Sequence, residues 1–394
     1  MHPPHPAGHA DEVTAAATVV ELRLSAYRSQ RARTVPLTRV TVVTGPSGSG
    51  KSTVLEAYEA LARLGCGEAL GEVFGGARGG PAAHVPQEAR GDREGRRGFR
   101  IGCTVQGPAG TAQLDVAVQA EPELRVVGER LTGADGATLL STALRDPARR
   151  AVEAVWHTAG AARVLRAPFP DDRLATPLLP LRVAGTTAAQ RAVLAAAEQV
   201  VVALRAVFAC DPRADTMREP VAAHDGVLRG GCDNLAAVLR RTRAECAKRH
   251  AALVEVVREG FAGPRVEDLR AEVCGRGLVR AVTDRVLERG AAPLEWRGDG
   301  ELRFAALALV LLAGAGVLSV DTVREVTTSR QALAVLADNL DRGLDTRQTR
   351  QLLALASRMG TRGHVRLLAT GSEGGPLAGE AARAPGVSLV DLGT

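Results

Sequence analysis

The sequence predicts an α/β fold whose first and last parts form one core, with an antiparallel β meander and a helical lobe between them. A buried strand, a glycine-rich loop and a helix follow one another over residues 40–61. Residues 333–370 contain two apolar runs with a segment of helical pattern between them. Between these ends, residues 99–130 alternate like strands, and residues 188–208 show a strong helical period of apolar side chains.

The most specific motif is the glycine-rich loop, Gly45-Pro46-Ser47-Gly48-Ser49-Gly50-Lys51-Ser52, which matches G-x-x-x-x-G-K-[ST] at every fixed position. In this P-loop arrangement, backbone N–H groups and the N-terminus of the following helix bind phosphate. Lys51 is one of only two lysines in the chain, and its flexible ammonium can reach the β- and γ-phosphates. The motif therefore predicts that residues 45–52 and Thr53 bind a nucleotide, with Ser52 reaching Mg²⁺.

Composition limits the class of protein. The chain has 394 residues, of which 45% are hydrophobic, enough for a packed core. The longest apolar stretch, Phe304–Val317, is too short to cross a bilayer. A net charge of +6 permits a phosphate-bearing partner without requiring one. The chain does not open with a secretory pattern, and its six cysteines lack zinc-ligand spacing, so we expect a cytoplasmic protein without a membrane partner.

Changes of pattern divide the chain into five parts. Residues 1–17, rich in His, Pro, Gly and Ala, predict a disordered tail. Residues 18–138 form the N-terminal ATP-binding lobe with the P-loop and the meander, and residues 139–296 form the helical lobe. Residues 297–375 complete the core, and residues 376–394 predict a loose, Gly-rich tail.

A P-loop needs a carboxylate at the end of a neighbouring strand to hold Mg²⁺. Asp338 follows the apolar run Leu333–Ala337 and is the preferred candidate. Asp321 is the alternative, because it follows a second apolar run, Val317–Val320. The sequence leaves both aspartates open as the magnesium ligand.

Two further segments resemble the ABC-type P-loop ATPase heads of the SMC/RecF and OLD-like group, within the AAA-family ATP-binding proteins. Leu344-Asp345 follows Asp338 at the spacing of that family's D-loop, and Gly298-Asp299-Gly300-Glu301-Leu302-Arg303-Phe304 is similar to its signature region. The resemblance covers residues 18–372. It implies that ATP and Mg²⁺ bind with Lys51 on the phosphates and with Ser52 and Asp338 on the metal. It also implies a homodimer in which two heads sandwich ATP, each signature region facing the partner's γ-phosphate.

The chain departs from this family at three catalytic positions. Asn339 stands where the family has the glutamate that polarises the attacking water, Gly298 replaces the signature serine, and Gly371 replaces the switch histidine. Removing one such donor or base typically lowers the rate by about 10²–10³. The resemblance with these departures therefore implies weak ATPase activity, with slow or absent hydrolysis.

Two other functions remain open. In the first alternative, the protein is a non-hydrolysing, nucleotide-gated switch or scaffold for a protein or DNA partner. The residues Asn339, Gly298 and Gly371 favour this alternative. In the second it is a P-loop kinase for a small molecule, with Arg90–Arg100 as an arginine-rich lid. The signature-like segment and Leu344-Asp345 argue against the kinase.

Overall fold

The computed structural model describes residues 16–156, 165–263, 265–285, 291–320, 332–363 and 365–393. Within these ranges the strands, in chain order, are β1 (Thr18–Tyr27), β2 (Gln30–Pro36), β3 (Val40–Thr44), β4 (Arg97–Gly107), β5 (Gly110–Glu121), β6 (Arg125–Thr132), β7 (Thr138–Ala143), β8 (Ala151–Trp156), β9 (Leu165–Pro170), β10 (Val207–Cys210), β11 (Val221–Ala222), β12 (Val266–Gly275), β13 (Leu278–Arg285), β14 (Ala292–Pro293), β15 (Leu333–Ala337), β16 (Val365–Thr370) and β17 (Val387–Asp391). The α-helices are α1 (Lys51–Gly65), α2 (Leu70–Phe74), α3 (Ala188–Arg205), α4 (Leu235–Glu245), α5 (Ala247–Gly260), α6 (Asp299–Leu312), α7 (Thr346–Thr361) and α8 (Pro376–Arg383).

A five-stranded parallel sheet carries the P-loop. Its strand order is β10-β15-β16-β3-β17, and every pairing in it is parallel. All five residues of β3 are buried, as expected for a parallel strand covered on both faces. The carboxyl ends of parallel strands meet at one edge, so the loop after β3 and the residues after β15 lie on the same side. The predicted return of the chain to one α/β core is confirmed.

The predicted meander belongs to a larger antiparallel sheet, with strand order β2-β1-β4-β5-β6-β7-β8-β9. Its three predicted strands correspond to β4, β5 and β6, which pair in sequence. One face packs against α1 and α3 through buried side chains such as Leu22, Ile101 and Leu114. The P-loop helix is thereby held between the antiparallel and the parallel sheets.

The predicted helical lobe, residues 139–296, is wrong in its first part. There β7, β8 and β9 extend the antiparallel sheet as far as Pro170. Residues 151–156 alternate strictly between buried and partly exposed side chains, which is the two-residue period of a strand. Helices α3, α4 and α5 follow, but the antiparallel hairpin of β12 and β13 also lies within the predicted lobe.

The C-terminal tail, predicted to be loose from residue 376, is also wrong. Helix α8 packs on α7, and β17 pairs with β3 in the parallel sheet. The Leu392 N–H donates to the Thr44 carbonyl at 2.9 Å, directly before the P-loop. Of the predicted N-terminal tail, residues 1–15 lie outside the described residues, and Ala17 is buried.

A second core lies on the other face of the parallel sheet, among α4, α5, α6, α7 and the β12–β13 hairpin. Ten residues of α6 are buried, including Arg303, so this helix runs through the centre of that core. In the part of the chain that the structure describes, no helix is both long enough and apolar enough to cross a membrane.

Candidate nucleotide-binding site

The P-loop connects β3 to α1 through glycines in backbone conformations that other residues rarely adopt. Gly45, Gly48 and Gly50 have φ values of 144°, 84° and 93°. Gly50 precedes α1, and no side chain caps this helix, so its first-turn N–H groups are not taken up by a side-chain cap. The Lys51 ammonium donates to the carbonyls of Gly45 and Pro46, both at 2.8 Å. The loop therefore holds a cation against a helix N-terminus, which is a binding arrangement for phosphate.

The structure brings Ser52 and Asp338 together from positions 286 residues apart. The Ser52 hydroxyl donates to the Asp338 carboxylate, with Oγ 3.1 Å from Oδ1 and 2.9 Å from Oδ2. Asp338 directly follows β15, as the sequence predicted. The rival Asp321 lies outside the described residues.

Thr370, at the end of β16, supports Asp338 and was missed by the sequence analysis. Its hydroxyl donates to Asp338 Oδ1 at 2.5 Å and accepts the Asn339 N–H at 2.8 Å. Since β16 lies between β15 and β3, Thr370 bridges the two strand ends that carry the site. Its place at the end of an apolar run is the sequence pattern that could have identified it.

The donor set of Ser52 and Asp338 fits Mg²⁺. This ion prefers oxygen ligands at 2.0–2.1 Å in octahedral geometry, so two neighbouring ligands lie about 2.9 Å apart. Ser52 Oγ and Asp338 Oδ2 are already at that separation. Mg²⁺ normally takes one or two protein ligands and completes its shell with phosphate and water. A hydroxyl and a carboxylate beside a phosphate-binding loop are sufficient for such a site.

An ion pair lies close to these groups. Glu56 of α1 forms an ion pair with Arg28, with 2.9 Å between the carboxylate oxygen and the guanidinium nitrogen. Burial raises the pKa of Glu56, Arg28 lowers it, and the negative charge of Asp338 raises it again. Asp338 and Glu56 therefore repel each other electrostatically, and a bound cation would relieve that repulsion.

Gln30, at the start of β2, is a second residue that sequence analysis missed. Its buried side-chain amide donates to the Ser49 carbonyl at 2.8 Å. A Cβ atom on Gly50 would lie 2.1 Å from Gln30 Nε2 and would displace this amide, and the φ of 93° favours glycine at the position independently. Gln30 comes from the antiparallel sheet, and no spacing rule within the motif reveals that contact.

Asn339 follows Asp338 in the left-handed conformation, with φ of 46°. Asparagine tolerates this conformation better than most residues. Its carbonyl accepts from Arg303 Nη2 at 3.3 Å, and its N–H is held by Thr370. The backbone after Asp338 is thus fixed from two sides.

The signature-like segment opens α6. Gly298 precedes the helix with extended backbone, and a Cβ atom there would meet nothing within 4 Å. Asp299 pairs with Arg218 at 2.7 Å, and Glu301 lies 3.6 Å from Arg297. Gly300 packs closely on the turn before Leu344-Asp345, because a Cβ atom would lie 2.0 Å from the Gly343 carbonyl oxygen.

The P-loop and the signature-like segment therefore lie in different surroundings within the chain. The signature-like segment contacts the D-loop-like turn, and Asp345 caps α7 by accepting the Gln348 N–H at 2.7 Å. Among the described residues, no hydrogen bond or ion pair joins residues 298–301 to residues 45–53. Within one copy of the chain, P-loop, Ser52 and Asp338 come together, whereas the signature-like segment does not join them.

Gly371 follows β16 and is tightly packed. A Cβ atom there would lie 2.8 Å from Leu377 Cδ2 and 3.0 Å from Leu377 Cβ. Leu377 is fully buried in α8. The position that holds a switch histidine in the resembled family has no room for a side chain here without movement of α8.

No family model and no curated protein matches the chain. Among solved structures, it is similar to an SMC head bound to the C-winged helix domain of ScpA, at 11% identity over 90% of each chain with a TM-score of 0.44. It is also similar to the SMC head domain from Thermotoga maritima, at 13% identity over 90% of this chain and 89% of that one, with a TM-score of 0.37. A third match is an Smc head with an extended coiled coil bound to the C-terminal domain of ScpA derived from Pyrococcus furiosus, at 10% identity over 92% of each chain with a TM-score of 0.43. At such identities the similarity concerns the fold and not the function.

Proposed function

We propose that this chain is an ATP-binding protein of the ABC/RecF-like head type, which binds Mg-ATP at its P-loop and hydrolyses it slowly or not at all. The observation that carries this proposal is the hydrogen bond from Ser52 to Asp338 beside the Lys51 ammonium. A hydroxyl, a carboxylate and a lysine in this arrangement are the parts that a P-loop nucleotide site requires.

Each part has a distinct task in the proposed site. The N–H groups of the loop and of the first turn of α1 bind the phosphates, and Lys51 leaves its carbonyl partners for the β- and γ-phosphates. Ser52 and Asp338 hold Mg²⁺, which neutralises charge on the phosphate oxygens. Thr370 fixes the Asp338 carboxylate so that it faces Ser52.

Slow turnover follows from the residues beside Asp338 and after β16. The Asn339 side chain cannot accept a proton from water, because an amide is not a base at neutral pH. Gly371 supplies no side chain, and its packing on Leu377 leaves none of the space that a histidine needs. This packing also supports the second candidate, a non-hydrolysing switch that docks on a protein or DNA partner when ATP is bound.

Head dimerisation around ATP is part of the proposal. It is supported by the separation of the signature-like segment from the P-loop within one chain. Gly298 stands at the N-terminus of the buried helix α6, which no side chain caps, and the first-turn carboxylates Asp299 and Glu301 are paired with Arg218 and Arg297. A partner's phosphate would meet the N–H groups at this helix end. In this arrangement each site is completed by the second copy.

The test is a direct ATP-binding measurement with steady-state turnover, on the full chain and on Lys51→Ala. Binding that requires Lys51 and Mg²⁺, with little or no turnover, supports the proposal. Turnover that disappears in Lys51→Ala would instead show that another group replaces the missing glutamate. Binding that is unaffected by Lys51→Ala would overturn the proposed site.

Asn339→Glu tests the assignment of the missing base. We expect this variant to hydrolyse ATP faster than the parent, because it places a carboxylate next to Asp338. The left-handed backbone at this position costs glutamate about 1 kcal/mol of stability, so Asn339→Gln is the matched control for the longer side chain. Equal turnover in the Glu and Gln variants would contradict the assignment.

A further inference from the structure

Cys210 and Cys232 are buried free cysteines with their sulfur atoms in contact, 4.0 Å apart. Cys210 is the last residue of β10, and Cys232 lies in the turn before α4. Their exposed fractions are 3% and 0%. Neither thiol has a task in the proposed nucleotide site. An S–S bond is about 2.05 Å long, so the two sulfurs are neighbours that a modest approach would bring to bonding distance.

Backbone hydrogen bonds hold the two cysteine-bearing segments side by side. The Asp211 N–H donates to the Gly230 carbonyl at 3.0 Å, and the Arg213 N–H donates to the Gly231 carbonyl at 2.9 Å. Each cysteine is next in sequence to a residue in one of these hydrogen bonds. The contact between the sulfurs therefore belongs to two segments that the backbone fixes relative to each other.

The backbone at Cys232 has an unusual conformation. Its φ is 56°, in the left-handed region that residues other than glycine, asparagine and aspartate rarely adopt. The Asn234 amide donates to the Val227 carbonyl at 2.7 Å. Arg229 pairs with Asp233 at 2.7 Å, so the turn is braced on both sides of Cys232. Such conformations persist where the surrounding structure imposes them, and they are concentrated at functional and switch positions.

We infer that Cys210 and Cys232 form a reversible modification site, at which a peroxide converts the two thiols into an intramolecular disulfide. One sulfur, as its thiolate, attacks a peroxide oxygen, the O–O bond breaks and hydroxide leaves. The second sulfur attacks the resulting sulfenic acid, which forms the S–S bond and releases the sulfenic oxygen as water. In total, two thiols and one hydrogen peroxide give one disulfide and two waters, and the two electrons lost by sulfur reduce the peroxide. This inference does not depend on the proposed function.

The surroundings of the two sulfurs predict a slow reaction. The contact with the Cys210 thiol and burial raise the pKa of Cys232, whereas the positive charge of Arg303 opposes them. The thiolate of Cys232, which is its reactive form, is therefore a minor species at neutral pH. Gly231 and Asp233, on either side of Cys232, are partly exposed. Local opening of this turn therefore suffices to admit a molecule as small as hydrogen peroxide.

A bond between these sulfurs would restrain the chain beside the proposed nucleotide site. Asp211, which follows Cys210, pairs with Arg303 at 2.9 Å. Arg303 donates in turn to the Asn339 carbonyl at 3.3 Å. The disulfide would tie the end of β10 covalently to the turn before α4. Oxidation would therefore fix the chain next to a carboxylate that holds Arg303.

Peptide mapping of the full chain tests the inference. The folded protein is treated with hydrogen peroxide, the remaining thiols are blocked with iodoacetamide under denaturing conditions, and the chain is digested with trypsin without reduction. Cleavage after arginine places Cys210 in the peptide of residues 206–213 and Cys232 in the peptide of residues 230–240. We expect these two peptides to be joined, with the loss of two hydrogens, and to be separated by dithiothreitol. Free thiols should fall from six to four per chain, since the bond consumes two.

Other cysteines of the chain provide the controls. Cys103 is 0% exposed, and its partners across the sheet, Leu22 and Leu114, carry no sulfur, so we expect it to remain a free thiol. Cys274 is exposed, and Cys274→Ser prevents links between molecules at that position. Cys210→Ala keeps Cys232 but removes its partner, so the joined peptides should be absent.

The joined peptides in both the parent and Cys274→Ser, separated again by dithiothreitol, support the inference. A thiol count that stays at six after prolonged treatment overturns it. Oxidised forms of either cysteine without the joined peptides also overturn it, because the two sulfurs then react singly. Oxidation of Cys103 to the same extent would show that peroxide reacts only with globally unfolded chains, and it counts against the inference as well.

Urea denaturation of the oxidised protein provides a second measurement. The midpoint should rise relative to the reduced protein, because the bond closes a loop between residues 210 and 232 and restricts the unfolded chain. A lower midpoint would show that the bond forms only by distorting the fold. That result would overturn the inference that the folded protein presents a disulfide site.

Discussion

At the scale of single residues, Gln30 shows how a group outside the motif can determine the shape of the P-loop. Its amide donates to the Ser49 carbonyl, and a Cβ atom on Gly50 would displace that amide. These contacts shape the loop without a ligand, so the proposed nucleotide site would require less ordering on binding.

We predict that Gln30→Ala weakens Mg-ATP binding by about threefold to tenfold, because one hydrogen bond contributes about 0.5–1.5 kcal/mol. Calorimetric titration of the variant and the parent measures this difference. Gln106→Ala, at an exposed position of β4, is the matched control. Equal affinities for the parent and Gln30→Ala would show that the loop keeps its shape without this amide.

Gly371 gives a second residue-scale prediction, concerning stability. Gly371→His should lower the free energy of unfolding by about 1–3 kcal/mol, because the added side chain overpacks the contact with Leu377. Urea denaturation measures the change. Gly298→Ser is the control, since φ is −63° there and a Cβ atom meets nothing within 4 Å. If Gly371→His is as stable as Gly298→Ser, then α8 is free to move away.

At the scale of elements, an aromatic cluster packs at the end of β1, between the antiparallel sheet and α2. His84 is buried among Tyr27, Phe74 and Phe99, and the Tyr27 hydroxyl lies 3.0 Å from His84 Nδ1. Burial lowers the pKa of His84 to about 4, with a further contribution from the positive charge of Arg28. The His84 imidazole is therefore packed in its neutral form in the folded protein.

The lowered pKa of His84 predicts that the folded protein loses stability in mild acid. Because the folded pKa is below the unfolded value near 6.5, the stabilisation is complete above about pH 6.5 and is lost as pH falls towards 4. The free energy of unfolding should fall by up to about 1.4 kcal/mol per pH unit over this window through this group alone. His84→Gln should remove that component, and parallel pH profiles for parent and variant would contradict it.

The elements also show how far sequence could predict this fold. The P-loop with β3 and α1 was predictable because glycine spacing and flanking hydrophobicity are local. The strands within residues 139–156 and 165–170 were mistaken for helix because Ala- and Leu-rich segments suit both structures. Only the pairing of β7 with β6, and of β8 with β7 and β9, decides between them. Strand β17 was missed because it is defined by its pairing with β3, which is more than 300 positions away in the sequence.

The candidate site also has one part that the sequence predicts and another part that it does not. Lys51 and Ser52 are fixed by the motif, whereas the approach of Asp338 to Ser52 depends on the order of strands in the parallel sheet. Thr370 and Gln30 reach the site from two further strands. Contacts of this kind arise from sheet order and register, which a single sequence does not contain.

At the scale of the whole molecule, the parallel sheet separates two cores. One contains α1, α3 and the antiparallel sheet, and the other contains α4 to α7. The P-loop belongs to the first core by α1, and the signature-like helix belongs to the second. The residues that follow β15 contact both sides, since Asp338 accepts from Ser52 of α1 and the Asn339 carbonyl accepts from Arg303 of α6.

Arg303 is the buried side chain at that junction, 2% exposed. From α6 it donates to the Asn339 carbonyl at 3.3 Å and to the Arg342 carbonyl at 3.1 Å. It also pairs with Asp211, after β10, at 2.9 Å, and donates to the Pro212 carbonyl. The turn after Asp338 and the helix that begins at Gly298 are thereby connected through one guanidinium.

We predict that Arg303→Met lowers the free energy of unfolding by about 2–4 kcal/mol, because several buried carbonyls lose their donor. Mg-ATP binding by the folded variant should change little, since Lys51, Ser52 and Asp338 keep their own contacts, whereas ATP-dependent dimerisation should be reduced more strongly. Urea denaturation, ATP titration and sedimentation measure the three quantities. Arg362→Met, at the exposed end of α7, is the control. If binding and dimerisation fall together, Arg303 supports the nucleotide site itself and does not connect it to the signature-like helix.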